Sequence, residues 1–473
     1  MTTLRSRAFA RVLDLVSEGE IEGLADGAKS IYLDGTPLQS ADGTLNFKNV
    51  SWSQRTGTQN QSHISGIPAV ESETSVNVEL KNSASITRTV SNAEVDSVRI
   101  TVSVPSLFQT NNDGGTSGLS VQIAIDVQES GGAFVEILVD TINGKATSKY
   151  QRSYLVTLTG AAPWNIRLRR ITADTTNIKI QNKTFWDSYT EIIDAKLRYP
   201  NSSLVSVRFN AANFNGVPSR AYDLKLKKIK LPSNYNPTTR AYTGTWDGTF
   251  VTAWSDNPAW CFYDMVTNTR YGLGSYIDPS QVDKWALYSI GQYCDELVSN
   301  GFGGQEPRFT CNLYLQSRTE AFKVVQDMAA CFRSMVYWAS GSLTLAQDSP
   351  SDPVALFSQA NVVDGLFTYS GSSSKARHTV ALVTWNDPDD MYTQKVEYVE
   401  DQDAIARFGV VPTEVVAIGC TSRGQANRVG RWLLYSERYE AETVTFKTGI
   451  EGAVARPGQV IKVADASRAG LRL

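Results

Sequence analysis

Across roughly its first half this chain repeats its apolar residues at every second position, and no stretch there repeats them at every third and fourth. Val98, Ile100, Val102 and Val104 alternate with Arg99, Thr101 and Ser103. A period of two puts one face of a strand in a core and the other in water, which an amphipathic helix cannot do. Comparable runs are Val121–Val127, Phe134–Val139, Tyr154–Leu158 and Asn165–Ile171, with turn-rich stretches at Asn111–Gly118 and Glu129–Gly132 between them. Short strands at this spacing predict an antiparallel sandwich of about 100 residues, placed at 88–197. Upstream, Ile31–Leu33 and Leu38 flank Asp34-Gly35-Thr36-Pro37, a tight turn between two strands. Downstream, Leu224, Leu226, Ile229 and Leu231 alternate with lysines, with one slip at Lys227-Lys228 of the kind a β-bulge makes. The proline-bounded segment Pro232–Pro237 continues neither strand nor helix and reads as an ordered loop.

Helical periodicity begins later. Ser280 with Asp283 resembles a capping box, followed by Val282, Trp285, Ala286, Ile290, Tyr293, Cys294 and Leu297 on one face. Ser317 with Glu320 opens a second helix carrying Ala321, Val324, Val325, Met328, Ala329 and Phe332. Val336-Tyr337-Trp338, a Ser340-Gly341 turn and Leu343 with Leu345 predict a hairpin. Ser422, with Gln425 in the capping-box position, starts a third helix that turns Ala426, Val429 and Leu433 inward. Residues 255–440 therefore read as α+β. Thr443–Phe446 and Val460–Val463, around Pro457-Gly458, return to β; with no partner strand in view before Leu473, the chain reads as cut within a domain. The predicted division is a β segment at 1–87, the sandwich at 88–197, a return to β at 198–254, the α+β block at 255–440 and the start of a further β domain at 441–473.

The chain's 473 residues are 41% hydrophobic and 20% charged, enough to fill more than one core and too apolar for disorder. Its 45 Lys and Arg against 48 Asp and Glu leave a net charge of −3, so bulk attraction to nucleic acid or an anionic membrane is not expected. His63 and His378 are the whole histidine supply, which removes most histidine-based zinc sites and catalytic triads. Cys261, Cys294, Cys311, Cys331 and Cys420 stand at least 17 positions apart, so no C-x-x-C pair exists for zinc, an iron–sulfur cluster or a redox disulfide. Unpaired cysteines fit folding in a reducing cytosol. No apolar run approaches the ~20 residues of a membrane span. Arg5 and Arg7 are soon followed by Asp14, Glu18, Glu20 and Glu22, which leaves no secretory apolar core.

Each cluster with chemical potential also has a plain structural reading. Asp387-Pro388-Asp389-Asp390 is the densest group of carboxylates, but it lacks calcium-loop spacing and reads as a turn between strands. Gly301-Phe302-Gly303-Gly304 lacks the Lys-Ser/Thr of a phosphate cradle and reads as the exit from the preceding helix. Lys225, Lys227, Lys228 and Lys230, and likewise Arg167, Arg169 and Arg170, read as solvated or edge-protecting faces before they read as nucleic-acid strands. His378 has no Cys or Asp at ligand or triad spacing and reads as structural; His63 lies in a polar loop. No catalytic, cofactor or metal residue is therefore assigned. The informative excess is aromatic: Trp246, Phe250, Trp254, Trp260, Phe262, Tyr263, Tyr271, Tyr276, Trp285 and Tyr288 suit either a carbohydrate groove or, more commonly, a core or subunit interface.

Longer strings carry a family resemblance. They include Ser233-Asn234-Tyr235-Asn236-Pro237, the run Tyr242–Phe250, Ala259-Trp260-Cys261, Arg270-Tyr271-Gly272 and the run Val282–Tyr288. Further ones are Gly301–Gly304, Ile405-Ala406-Arg407, Gly419–Ala426, Ser17-Glu18-Gly19, Gln181–Thr184 and Ser188–Asp194. Together they resemble the tip attachment (host specificity) protein J family of lambda-like tailed phages, over nearly the whole chain and in its hub portion. The resemblance implies a mainly β protein with an α+β domain, in which tube-like β hub domains hold an inserted fibronectin-like antiparallel sandwich. It implies a non-enzymatic component of the virion tail tip, assembled in the host cytoplasm without a cofactor. The implied hub is a homotrimer that closes the distal end of the tail tube and adapts a sixfold tube to a threefold tip. Its implied partners are the distal tail and other tail-tip proteins and the C-terminus of the tape measure. Phage DNA is in contact only in transit, and the host outer-membrane receptor is met by the family's C-terminal regions, absent from these residues. The competing expectation is a glycan-binding or glycan-cleaving tail receptor protein, marked by an open aromatic groove with two carboxylates about 5–10 Å apart.

Overall fold

The computed structural model describes residues 4, 8–315, 320–339, 341–371 and 377–468, and the backbone of 471–472. The chain divides into two units, Met1–Lys227 and Lys228–Leu473.

The first unit contains a domain interrupted by another. The strand Phe9–Glu18 pairs antiparallel with Ser202–Asn210, which also pairs with Ser51–Thr56. Its core is Ile31, Leu33, Leu38, Val205, Val207 and Phe209, drawn from two stretches far apart in sequence. The predicted hairpin is present: Tyr32 faces Pro37 and Leu33 faces Thr36, with Asp34 and Gly35 at φ 48° and 78°, the left-handed pair that a two-residue turn between twisted strands requires.

Between these stretches lies the sandwich. One sheet has the order Val135–Gly144, Leu119–Gln128, Trp164–Arg170 and Ile86–Val90; the other has Tyr150–Thr157, Ser97–Val104, Thr184–Asp194 and Pro68–Leu80. All pairs are antiparallel. Val98, Ile100, Val102 and Val104 are fully buried, as their alternation predicted, while Arg99 turns outward to bond both carboxylate oxygens of Glu71. Strands belonging to the sandwich begin at Pro68, upstream of the residue 88 that the pattern indicated. The Pro68–Leu80 strand is exposed along most of its length, so an edge position leaves it polar and its alternation faint. Register shifts between Trp186 and Ser188. The displaced Asp187 accepts from Ser103, Gln151 and Lys149, which satisfies a carboxylate that the bulge has turned inward.

The strand Leu224–Pro232 passes from one unit into the next. Its residues 224–227 pair with Ile21–Leu24, and 228–232 pair with Phe250–Trp254. The slip at Lys227-Lys228 is thus a change of partner.

The second unit has helices α1 (Pro258–Thr267), α2 (Lys284–Asp295), α3 (Ala321–Ala330), α4 (Gln402–Phe408) and α5 (Arg423–Tyr439). α1 has no counterpart in the helical periodicity, because eight of its ten residues are buried and it lacks a polar face. Its start signals are nonetheless present: Asn257 Oδ1 accepts from Ala259 N at 3.0 Å, and Pro258 stands in the first turn. α2 is capped by Asp283, and the capping box lies one turn earlier, between Asp278 and Gln281. α3 starts after Glu320 without a side-chain cap, and the expected Ser317 lies outside the described residues. α5 begins as expected, with Ser422 accepting from Gln425 N.

α1, α2 and α3 pack with the hairpin Ser334–Ala339/Ser342–Gln347 around Trp260, Phe262, Leu287 and Phe332; Ser340 of its turn lies outside the described residues. A second core forms where α5 covers the strand Val380–Asp387, itself antiparallel to Thr393–Glu400 and parallel to Pro412–Val416. The last strands do have partners within the chain, contrary to expectation. Ile461–Ala464 runs parallel to Ala355–Ser358, and Glu442–Thr445 is antiparallel to Thr368–Gly371. Phe446 meets Phe357 and Phe367 between them. Such pairings join residues many tens of positions apart and leave no local trace.

Candidate functional site

The aromatic block is assembled by the end of the Phe250–Trp254 strand, α1 and α2. Trp246 stacks on Tyr288 at 5.0 Å and meets Phe250, Trp260 and Trp285 edge-on. Phe250 stacks on Tyr263 at 4.7 Å. Trp246, Trp260, Phe262 and Tyr263 are buried, whereas Trp285 is 53% and Tyr276 87% exposed. Lys284 donates to Gly248 O at 2.9 Å, with its ammonium 5.3 Å from the Trp285 ring centre and 5.6 Å from that of Trp246, a cation–π contact that holds the exposed indole in place. Most of the aromatic excess is therefore core, and Trp285 is the ring that the cluster presents to solvent.

A polar centre lies under the cluster. Arg240 donates to Asp295 at 2.8 Å and to Asp256 at 2.5 Å. Asn257 Nδ2 bonds the second Asp295 oxygen at 2.7 Å and Gly291 O at 2.9 Å. Trp260 Nε1 donates to the Tyr242 hydroxyl, which in turn donates to Asp295. Burial raises the Asp295 pKa above the ordinary carboxylate range despite the Arg240 bonds, and burial together with Asp295 pushes the Tyr242 phenol far up. One guanidinium shared by two carboxylates is a structural arrangement; neither acid stands free beside an open groove to take or give a proton.

The other sequence-marked groups are also engaged. Asp387 and Asp390 both bond Lys395, at 2.8 and 3.1 Å, and Asp387 caps the turn through Asp389 N. Lys395 and Thr393 hold their pKa values below the ordinary range, and the segment is the inter-strand turn expected of it. Gly301–Gly304 does not serve as a helix exit: α2 has ended at Asp295, and the glycines close a hairpin between Leu297–Ser299 and Gln305–Pro307. Arg167 and Arg169 converge on Asp126, a carboxylate 1% exposed, at 2.8 and 2.6 Å. Arg170 points the other way, to Asn182 O and Thr172 O. That patch is internally neutralised. In the lysine strand, Lys227 donates to Glu18 O, and each half of the strand has a paired neighbour. His378 is clamped to Glu437 by its backbone N–H at 2.7 Å and its Nδ1 at 3.0 Å, and His63 offers its carbonyl to Arg55.

The fold gathers cysteines that the sequence keeps apart. Cys331, whose Sγ donates to Ile418 O at 3.0 Å, lies beside Cys311 and within electrostatic reach of Cys261 and Cys420. Contact with Cys311 and burial raise the Cys331 pKa, burial does the same for Cys261 and Cys294, and all remain thiols.

Some of the exposed apolar side chains line up on outer strands. Val135, Ile137 and Val139 are 60%, 50% and 42% exposed on the outermost strand of their sheet. Val396 and Tyr398 are likewise exposed on Thr393–Glu400, an outer strand of the second unit. Alternation alone did not distinguish these faces from buried ones.

Comparison with known proteins adds identity to this geometry. A family model described as Tip attachment protein J, FNIII-A domain, matches residues 70–195, and one described as Putative phage tail protein matches 320–473. The Tip attachment protein J of Escherichia phage SECphi27 is 41% identical over 457 residues, covering 96% of this chain and 38% of that protein. Its namesake from Escherichia phage SECphi4 is 38% identical over 477 residues, covering 99% of this chain and 41% of that protein. The chain thus spans about two-fifths of the length of these curated relatives. A solved structure of infectious bursal disease virus, Gx strain, aligns at a TM-score of 0.15 and 8% identity over 46% of this chain and 64% of its own, too slight a likeness to bear on the fold. The matched FNIII-A segment coincides with the inserted sandwich and the similarity to the two relatives runs through both units, so the chain is homologous over nearly its whole length to the Tip attachment protein J of these two phages.

Proposed function

We propose that these residues form the hub of a phage tail tip, a structural part of the virion that acts through its interfaces and makes or breaks no bond. The observation that carries the reading is the similarity over 96% and 99% of the chain to proteins named for tip attachment. In this reading the β domain of the first unit and the α+β domain of the second build the hub, and the sandwich projects from it as an insertion. Three copies close the distal end of the tube and adapt its sixfold symmetry to a threefold tip. They meet the distal tail protein, other tip proteins and the C-terminus of the tape measure. DNA passes through without lasting contact, and the host receptor is engaged by regions beyond these residues.

Two physical features support it. The exposed apolar rows at Val135–Val139 and Val396–Tyr398 are suited to burial by a neighbour, and stable subunit contacts of this kind bury more than ~2,000 Å². The arginine patch of the sandwich is neutralised by Asp126 and Glu136, so that face offers DNA little to hold. A glycan-cleaving reading needs two free carboxylates beside an open row of rings; here Trp246, Trp260 and Tyr263 are buried and Asp256 shares Arg240 with Asp295.

Cryo-electron microscopy of whole tails carrying the full-length protein tests this. The expected map has three copies at the distal end of the tube with a polar or acidic bore. A different copy number, a continuous Lys/Arg stripe along the bore, or release of reducing ends from host polysaccharide by the purified chain would overturn it.

A further inference from the structure

α5 lines a cavity that the hub reading does not use. Its volume is about 440 Å³, and its wall includes Arg308, Arg333, Arg428, Arg431, Trp432 and Tyr435, with Glu440 as the one carboxylate among the lining residues. Arg428, Arg431, Trp432 and Tyr435 follow helical spacing and so share one face of α5.

Two of the four guanidiniums have no direct ion pair among the described residues. Arg308 is paired with Glu296 and Arg428 with Glu306, each at 2.6 Å. Asp348 is taken by the Trp432 indole N–H, also at 2.6 Å, and acts on Arg333 only at longer range. Arg333 itself makes no ion pair among the described residues; its hydrogen bond goes to the Arg428 carbonyl at 2.9 Å. Its Nε, like those of Arg308 and Arg428, is buried without an acceptor. The Arg333 guanidinium lies 5.1 Å from the Trp432 ring centre and 5.3 Å from that of Phe309, on a residue held at φ 54°. Burial lowers its pKa to about 10, with Arg428 and Arg308 adding to the push against Asp348. Arg431 is exposed at the cavity and has no partner among the described residues. Holding a cation out of water without a counter-charge is costly, and a planar fork facing an open cavity matches an oxyanion.

The surroundings narrow the ligand. A nucleic-acid strand requires a track of cations, whereas here Glu296 and Glu306 pair with Arg308 and Arg428, and the two guanidiniums left without an ion pair among the described residues, Arg333 and Arg431, stand at one cavity. A bare inorganic ion would leave most of 440 Å³ empty beside Trp432 and Tyr435.

We propose that this cavity is a docking site for an acidic protein segment, with Arg333 and Arg431 holding a carboxylate and Trp432 and Tyr435 packing the apolar group beside it. All the lining residues belong to the second unit. Isothermal titration of the purified chain with the blocked peptide Glu-Phe-Glu tests it, with Gln-Phe-Gln, inorganic phosphate and a thymidine oligonucleotide as the other arms. Saturable binding of Glu-Phe-Glu is expected, at least about tenfold weaker for Gln-Phe-Gln and after Arg333→Met or Arg431→Gln. Arg431 is exposed, so its substitution tests the site even if Arg333→Met does not fold. No saturable binding of Glu-Phe-Glu, equal binding by wild type and Arg431→Gln, or tighter binding of phosphate or the oligonucleotide would overturn the proposal.

Discussion

Arg240 donates to Asp295 at 2.8 Å and, through its other terminal nitrogen, to Asp256 at 2.5 Å, and this is the only charge compensation that Asp295 receives among the described residues. Asp295 is nearly inaccessible, its side chain 3% exposed. Arg240→Met would leave a buried carboxylate unpaired, at an expected cost of ~3–5 kcal/mol. The measurement is a denaturant melt followed by tryptophan fluorescence, and an unchanged midpoint would contradict the structural role assigned to this centre.

Asp126 gives the sandwich an acid limit. Burial pushes its pKa up, but hydrogen bonds from Arg169 and Arg167 outweigh burial and hold it below the ordinary value. A carboxylate depressed in the folded state stabilises above its unfolded pKa, near ~4, and loses that contribution as pH falls through the folded value. Thermal stability is therefore expected to decline below about pH 4, with a shallower decline in Asp126→Asn. Asp295 has the opposite sign: its pKa is raised, so it costs stability once pH rises past its folded value. Melting temperatures of wild type and Asp126→Asn across acid pH decide the point, and parallel curves would refute it.

Gly430 is a point of tight packing between α5 and its sheet. A Cβ there would stand 2.7 Å from Val399 Cγ2 and 3.0 Å from Val383 Cγ2. Gly430→Val should destabilise by ~1–3 kcal/mol through overpacking. In Gly430→Ala the gain of about 1 kcal/mol in helix propensity offsets part of the overlap. Equal melting midpoints for the Val variant and wild type would show that the helix can shift freely.

Ile137 tests the interface reading of the exposed sandwich edge. Ile137→Lys should leave the melting temperature of the isolated chain unchanged, since the side chain is half exposed. Its incorporation into tails should fall about tenfold or more if a neighbour buries that row. Quantitative blotting of purified tails provides the readout; normal incorporation would remove this edge from the list of contacts.

Local chemistry made a large part of this architecture legible in advance. The buried alternation of Val98–Val104, the turn at Asp34-Gly35, the Ser422 cap and the Asp387–Asp390 turn each depend on residues a few positions apart, and such short-range constraints are written directly in the chain. Tertiary structure decided the rest. It buried α1 on nearly every side and so erased its period, and it placed Pro68–Leu80 at an edge where little alternation is needed. It also turned Arg167 and Arg169 onto Asp126, set Cys311 against Cys331, and left Arg333 without an ion pair among the described residues. These outcomes require groups from distant segments to meet. Periodicity records which face of an element is buried, and the partner that buries it is chosen only when the whole chain packs.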